Sequence, residues 1–176
     1  DQLCKKNKIE CDIFKSEEDL IPFLINNKIT LGILAWWPNI ITSQLINLPK
    51  YGFINLHNSF LPFNRGKHPY FWAIFEGSPY GVTIHKVNQG IDDGDIISQK
   101  LIQYTWEDNA ETIYQKSLED IINLFKETYP KIKNNDINPI KQSNDGTFHF
   151  AKELDQVSQI NLDRKYLARE LLNIIR

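Results

Sequence analysis

The chain has 176 residues, enough for one domain with a sizeable core, and its hydrophobic fraction of 41% excludes a largely disordered polymer. The formal net charge of −2 shows no basic excess, so the composition predicts no nucleic-acid partner. No apolar run reaches the roughly 18 residues of a membrane-spanning helix and no signal peptide opens the chain, so we expect a cytoplasmic protein with no membrane partner.

Helices and strands alternate along the predicted chain. Residues 3–11 read as a helix end that runs into a short strand at 12–14, and Ser16 is predicted to cap a helix that reaches residue 27. Cys4 and Cys11 fit neither a redox pair nor a zinc knuckle and are expected to be reduced thiols. Residues 28–36 form an almost unbroken apolar run, typical of a strand buried on both faces of a parallel sheet.

The rest of the chain continues this alternation. Further helices are predicted at 42–47, 69–75, 109–129 and 162–175, and further strands at 52–56, 80–87 and 95–104. Residues 131–146 are polar and rich in Asn, Asp and Pro, which predicts a loop. The pattern therefore predicts an α/β fold with a mostly parallel sheet, whose ligands bind beyond the carboxyl ends of the strands.

The strand at 52–56 runs into polar side chains spaced by two. Asn55 and His57 face the same side of such a strand, and at its end they can project into one crevice. Histidine changes protonation near neutral pH, and the asparagine amide can hold a developing oxyanion, so the pair suits acyl transfer to an amine. The spacing alone also fits a capped strand end with a buried, satisfied histidine.

Two charged loops are further candidates. Residues 90–95 (GIDDGD) hold three carboxylates, one of which can orient His57 if the loop folds back on it. An acidic turn or a divalent-metal loop would have the same composition, although the spacing does not match a calcium loop. Residues 65–67 (RGK) suit a carboxylate or a phosphate, but also a solvated basic loop.

Several aromatic residues and histidines remain open. Trp36 and Trp37 follow the first apolar strand and fit either a ring-binding pocket or the core. His85 lies on a predicted strand and is expected in a structural or supporting role, whereas His68 and His149 give no usable signal.

A resemblance to a known family covers residues 29–100, in the run "NLHNSFLPFNRGKHPYFWAI…GVTIHKVNQGIDDGDII". This run resembles the formyltransferases that use 10-formyltetrahydrofolate, among them glycinamide ribonucleotide transformylase, methionyl-tRNA formyltransferase and the nucleotide-sugar N-formyltransferases. The family pattern is Asn-x-His-x-Ser-x-Leu-Pro and a later Asp before a Gly, which falls here on Asn55, His57, Ser59, Leu61, Pro62 and Asp92.

The resemblance implies a Rossmann-like fold and specific residue roles. His57 would be the general base or proton shuttle toward the attacking amine, Asn55 would stabilise the oxyanion, and Asp92 would hold and polarise His57. The co-substrate would be 10-formyltetrahydrofolate, with no metal. Its binding residues would be Pro38, Asn39, Ile40, Ile41, Lys67, Asn88 and Gly90.

Finer features favour one branch of the family. Residues 65–72 (RGKHPYFW) and 160–163 (INLD) are similar to the sugar N-formyltransferases, whereas the tRNA enzymes usually have Arg-Gly-Ala-Ala-Pro and a Trp there. The acceptor would then be a nucleotide-linked amino-deoxysugar, with dTDP as the expected carrier, and the protein would be a homodimer. We expect a catalytic core at 1–130 without the family's first βαβ unit, a loop at 131–146, and the start of a C-terminal extension at 147–176.

Two alternative functions stay open. One is formyl transfer to another amine, such as methionyl-tRNA, although the near-neutral charge argues against a tRNA-binding surface. The other is a truncated domain that binds folate or nucleotide without turnover, because a sheet without its central strand would expose buried edges.

Overall fold

The computed structural model describes residues 2–176, so residue 1, where the predicted catalytic core begins, lies outside the described residues. The helices are α1 (Gln2–Lys6), α2 (Glu17–Asn26), α3 (Ser43–Ile46), α4 (Pro69–Glu76), α5 (Ala110–Lys133), α6 (Ala151–Val157) and α7 (Ala168–Ile175). The strands are β1 (Gly32–Ala35), β2 (Phe53–His57), β3 (Arg65–Gly66), β4 (Gly81–Lys86), β5 (Ile96–Leu101) and β6 (Phe148–His149). The predicted α/β class is confirmed.

The main sheet has the strand order β1-β2-β4-β5. β1 pairs with β2 in parallel, whereas β2 with β4 and β4 with β5 are antiparallel. Among the described strands the sheet therefore contains one parallel pair and two antiparallel pairs. The antiparallel pairing of β4 with β5 follows from the turn-rich loop between them, which is too short for a crossover and returns the chain as a hairpin.

Helices cover both faces of this sheet. Successive residues of β2 point to opposite faces, and Phe53 packs in a cluster with residues of α2 and α3, while Ile54 packs with α4 and α5. Asn109 caps α5 with its side chain and Thr112 returns the bond, so this helix begins within one residue of the predicted start at 109. β2 and β4 are therefore the central strands of the described sheet, packed between two layers of helices.

Several element boundaries differ from the predictions. α5 continues through Lys133, three residues into the predicted loop, and α7 begins only at Ala168 because Glu170 caps the Leu167 amide. No strand forms at 12–14, where Ile13 is exposed and lacks a pairing strand among the described residues.

The first apolar strand is also less buried than predicted. Within the described residues β1 pairs only with β2, and Ile33 is exposed, so the expectation of burial on both faces is wrong here. The strand ends before Trp36, which takes a left-handed conformation with a φ of 51°.

A small second sheet was not predicted. β3 and β6 pair in parallel and join the loop before α4 to the segment that follows α5. No helix in residues 2–176 is long and apolar enough to cross a bilayer.

Candidate active site

Two neighbouring strands and one loop bring the polar site residues together. Asn55 on β2 lies directly opposite His85 on β4, and His57 lies two residues further along β2. Asp92 comes from the loop that joins β4 to β5, and it takes a left-handed conformation with a φ of 52°. The structure thus assembles the three residues predicted to be catalytic and adds His85 to them.

The Asp92 carboxylate is the centre of this group. Its Oδ1 accepts a hydrogen bond from Asn55 Nδ2 at 3.2 Å, and its Oδ2 accepts one from the Gly66 backbone N–H at 3.0 Å. His57 Nε2 lies 3.7 Å from Oδ2, and His85 Nε2 lies 3.6 Å from Oδ1. Both oxygens are therefore held by fixed donors, with one imidazole beside each.

The charge of Asp92 follows from these partners. Burial alone would raise the pKa of its carboxyl group, but His57, His85 and the Gly66 amide together lower the pKa well below its usual range. A carboxylate that accepts backbone and amide hydrogen bonds stays ionised at neutral pH. Asp92 therefore supplies a fixed negative charge.

His57 is held in its neutral form. Burial lowers its pKa below the ordinary value of 6.5, and this effect exceeds the opposing influence of Asp92. The ring makes a hydrogen bond with the Asn64 backbone, while the buried Nε2 has no hydrogen-bond partner among the described residues. A neutral imidazole with an unpaired nitrogen can accept a proton.

His85 is oriented by its own strand. Its Nδ1 lies 2.8 Å from the Lys86 carbonyl oxygen, which can only accept, so Nδ1 carries the proton. Its Nε2 then accepts from Asn55 Nδ2 at 3.3 Å. Both hydrogens of the Asn55 amide are thus directed at Asp92 and His85.

A cavity of about 710 Å³ opens over this group. The four histidines of the chain, His57, His68, His85 and His149, all line it. So do the residues predicted to bind the cofactor, namely Pro38, Asn39, Ile40, Ile41, Lys67, Asn88 and Gly90. Its size lies within the range of roughly 300–1,000 Å³ that is typical of small-molecule sites.

Part of the cavity wall, at residues 36–41, carries apolar and exposed side chains. Trp36 is 51% exposed and Ile40 is 74% exposed, although both face the cavity. Trp37 also lines the cavity and packs edge-on against Phe14, with ring centroids 4.7 Å apart. The sequence left open whether the two tryptophans form a ring-binding pocket or belong to the core. Trp36 fits a ring-binding surface, whereas Trp37 both lines the cavity and packs against other side chains.

The cavity is also lined by aromatic residues that the sequence did not indicate. His68 Nδ1 lies 3.2 Å from the Tyr70 hydroxyl, and the Tyr70 ring packs against Tyr114 at 5.1 Å. Phe148 and Phe150 also line the cavity. The left-handed conformation of His68, with a φ of 58°, is a signal of a constrained site that only coordinates reveal.

The described residues contain no group of three or more side chains suited to hold a metal ion. Of the acidic loop, Asp92 lies beside His57 and His85. Within residues 2–176 no hydrogen bond or ion pair joins Asp93 or Asp95 to a histidine.

Comparison with known proteins shows which family this chain belongs to. The family model described as formyl transferase matches residues 2–128. The chain belongs to the formyltransferase family.

Two relatives with different names each match most of this chain. The methionyl-tRNA formyltransferase of Thermodesulfovibrio yellowstonii is 33% identical over 176 residues, which are 99% of this chain and 54% of that protein. The chain thus spans about half the length of this relative. The bifunctional polymyxin resistance protein ArnA of Wigglesworthia glossinidia brevipalpis is 31% identical over 89% of this chain and 24% of its own length.

Solved structures of other formyltransferases share the fold. A 4-N formyltransferase from Francisella tularensis superposes with a TM-score of 0.85 at 28% identity, over 99% of this chain and 70% of that one. The formyltransferase PseJ from Anoxybacillus kamchatkensis, solved with UDP-4,6-dideoxy-4-formamido-L-AltNAc and tetrahydrofolate, gives 0.71 at 33% identity, over 84% and 74%. An N-formyltransferase from Helicobacter canadensis, solved with folinic acid and dTDP-3-aminofucose, gives 0.70 at 27% identity, over 80% and 51%.

Proposed function

We propose that this protein transfers a formyl group from 10-formyltetrahydrofolate to the amine of a nucleotide-linked amino-deoxysugar, with dTDP as the carrier. The observation that carries the proposal is the neutral, unpaired His57 Nε2 beside an ionised Asp92 at the floor of one cavity. This pairing suits removal of a proton from an attacking amine.

The reaction moves one acyl group and one proton. The acceptor nitrogen bonds to the formyl carbon, the bond from that carbon to N10 of the folate breaks, and the proton lost by the amine balances the proton gained by N10. His57 takes the proton from the amine and can return it to the leaving nitrogen. Asp92 stabilises the imidazolium while it carries the charge.

Asn55 is proposed to donate to the formyl oxygen as negative charge develops there. Its amide hydrogens contact Asp92 at 3.2 Å and His85 at 3.3 Å, both long for hydrogen bonds. Donation to the substrate replaces the contact with His85, while the contact with Asp92 keeps the amide oriented.

Two groups of lining residues suggest where the folate and the nucleotide sugar would each bind in the cavity. The apolar part of the wall at residues 36–41, together with the lining residues Asn88, Gly90 and Ile91, fits the flat pterin ring of the folate, which would bury the exposed Trp36 and Ile40. The lining residues His68, Tyr70, Tyr114 and Phe148 fit a nucleotide base and sugar. The exposed Lys67 stays assigned to the folate.

A second acceptor is favoured by one observation. The match to a methionyl-tRNA formyltransferase covers 99% of this chain at 33% identity, as high as the identity to any sugar enzyme described above. Formyl transfer to methionyl-tRNA is therefore the alternative to be tested beside the sugars.

The deciding experiment offers the full-length protein 10-formyltetrahydrofolate with a panel of acceptors and measures product mass. The panel contains dTDP- and UDP-linked 3-amino and 4-amino sugars, together with methionyl-tRNA. A gain of one formyl group on one nucleotide sugar is the expected result. A gain on methionyl-tRNA alone would replace the proposed acceptor, and no gain on any member by a folded protein would overturn the proposal.

A further inference from the structure

We propose that residues 142–149, which lie beyond the long helix α5, form a supporting segment that fixes Asp92 in its working position, with Gln142 and His149 as its positioning residues. This segment lies outside the part of the chain that the family model matches. The effect on turnover rests on the proposed function, whereas the effect on the geometry of Asp92 does not.

Gln142 holds the backbone of the Asp92 loop. Its Nε2 donates to the Asp92 carbonyl oxygen at 2.9 Å and to the Gly94 carbonyl oxygen at 2.8 Å. One amide group thus ties together the two sides of the turn in which Asp92 adopts its left-handed conformation. A non-glycine residue in that conformation persists only where its surroundings hold it, and Gln142 supplies two of the bonds that do so.

The same segment fixes the side chain of Asp92 through β3. Arg65 N donates to the Thr147 carbonyl and Lys67 N donates to the His149 carbonyl, each at 3.0 Å. Alternate amides of a strand point to opposite sides, so the Gly66 N–H between them points away from β6. It points at Asp92 Oδ2, which lies 3.0 Å away.

Gly66 shows how closely the two strands approach. A Cβ atom at this position would lie 2.3 Å from the His149 carbonyl oxygen, and the φ of 92° is one that other residues rarely adopt. The pairing of β3 with β6 therefore sets the direction of the amide that holds the carboxylate.

His149 anchors β6 to the body of the protein. Its ring stacks on Trp72 of α4 with centroids 3.8 Å apart and planes 7° apart. Its Nδ1 lies 3.3 Å from Glu153 Oε2, and its Nε2 lies 3.0 Å from Glu76 Oε1, at an angle unlike that of a hydrogen bond. One side chain thus connects β6 to both α4 and α6, and so holds the partner of β3 in place.

The first test removes the two hydrogen bonds to the Asp92 loop. Gln142→Glu keeps the shape of the side chain but replaces the donating NH₂ with an oxygen. We expect kcat to fall by about ten- to a hundredfold, because small misplacements of catalytic groups have effects of this size, while KM for both substrates changes less than threefold. Gln156→Glu, on the exposed side of α6, makes the same chemical change away from the site and serves as the control.

The second test reads the geometry directly. His149→Phe keeps a ring on Trp72 and removes both nitrogens. The ¹H shift of the Gly66 amide, displaced downfield by its bond to a carboxylate, is expected to move upfield in this variant and in Gln142→Glu, but not in Gln156→Glu. If His149→Phe does not fold, the double variant Glu76→Gln with Glu153→Gln removes the same carboxylates and is read in the same way.

The outcomes separate the two proposals. An unchanged Gly66 amide shift in both variants would overturn the positioning role, whatever the turnover. A raised acceptor KM at unchanged kcat would also overturn it, since this would show direct contact with the acceptor. A wild-type protein that transfers no formyl group would overturn the proposed function, while the amide shift would still decide the role of the segment.

Discussion

The floor and the entrance of the cavity are built in opposite ways. On the floor, His57 is 9% exposed and His85 is 2% exposed, and both are fixed by neighbouring backbone and carboxylate groups. At the entrance, large apolar side chains such as Ile40 stand in solvent. The groups that handle charge are thus set in advance, while the apolar surface is buried only when a ligand arrives.

The largest expected effect comes from the floor. His57→Asn removes the proposed proton acceptor and should lower kcat by about 10²- to 10⁴-fold, the range for loss of a general base. Folate affinity, measured by calorimetry, should remain near that of the wild type because the apolar entrance is unchanged. Retained turnover would show that His57 is not the proton acceptor. The floor would then not differ from the entrance in its effect on turnover.

The next effect tests the link between the floor and β3. Gly66→Ala places a methyl group against the His149 carbonyl and strains a φ of 92°, so the free energy of unfolding should fall by about 2 kcal/mol. Turnover should fall about tenfold through the displaced amide.

The matched control for this change is Gly77→Ala. Gly77 also has a positive φ, of 69°, but a Cβ there meets nothing within 4 Å. It should lose about 1 kcal/mol of stability in chemical denaturation and keep full kcat. Equal losses of kcat in both variants would show that backbone strain, and not the contact with β6, accounts for the effect.

A third effect concerns pH. Because burial lowers the pKa of His57 below 6.5, the ring stays neutral at pH values that would charge a free histidine. The acid limb of the kcat/KM profile should therefore have its midpoint below pH 6.5. Asp92→Asn removes the carboxylate that raises this pKa, so the residual activity should show the limb at still lower pH. A limb that moves upward would contradict the assignment.

The smallest effect is expected at the entrance. Ile40→Ser removes apolar surface that only a ligand would bury, so KM for the folate should rise a few-fold while stability changes by less than about 0.5 kcal/mol. Ile13→Ser changes an equally exposed isoleucine that does not line the cavity, and it should leave KM unaltered. A lower kcat in Ile40→Ser would contradict the view that the entrance contributes to binding alone.

The sequence predicts the residues of the cavity floor better than it predicts β3, β6 and Gln142, which support them. Asn55 and His57 are spaced by two on a strand, and that periodicity alone places them on one side of it. The pairing of β3 with β6 involves two residues on each strand, too few to show any periodicity. Gln142 lies in a polar stretch where nothing local indicates that its amide reaches Asp92.

The sheet pairing and the role of His85 required coordinates for the same reason. An apolar run indicates a strand but not its direction relative to a neighbour, so the antiparallel β2 and β4 emerge only in three dimensions. His85 reaches the site because that pairing sets it opposite Asn55, a relation between residues far apart in the chain.

The pairing of β3 with β6 limits where chimeras between this protein and its relatives can be joined. A gene segment cut where the family match ends, at residue 128, would encode Asn55, His57 and Asp92 intact, yet would omit Gln142, β6 and the helix that anchors His149. A chimera joined there would pair β3 with a foreign strand. The unit that can be transplanted with its chemistry intact therefore reaches at least to the end of α6, at Val157.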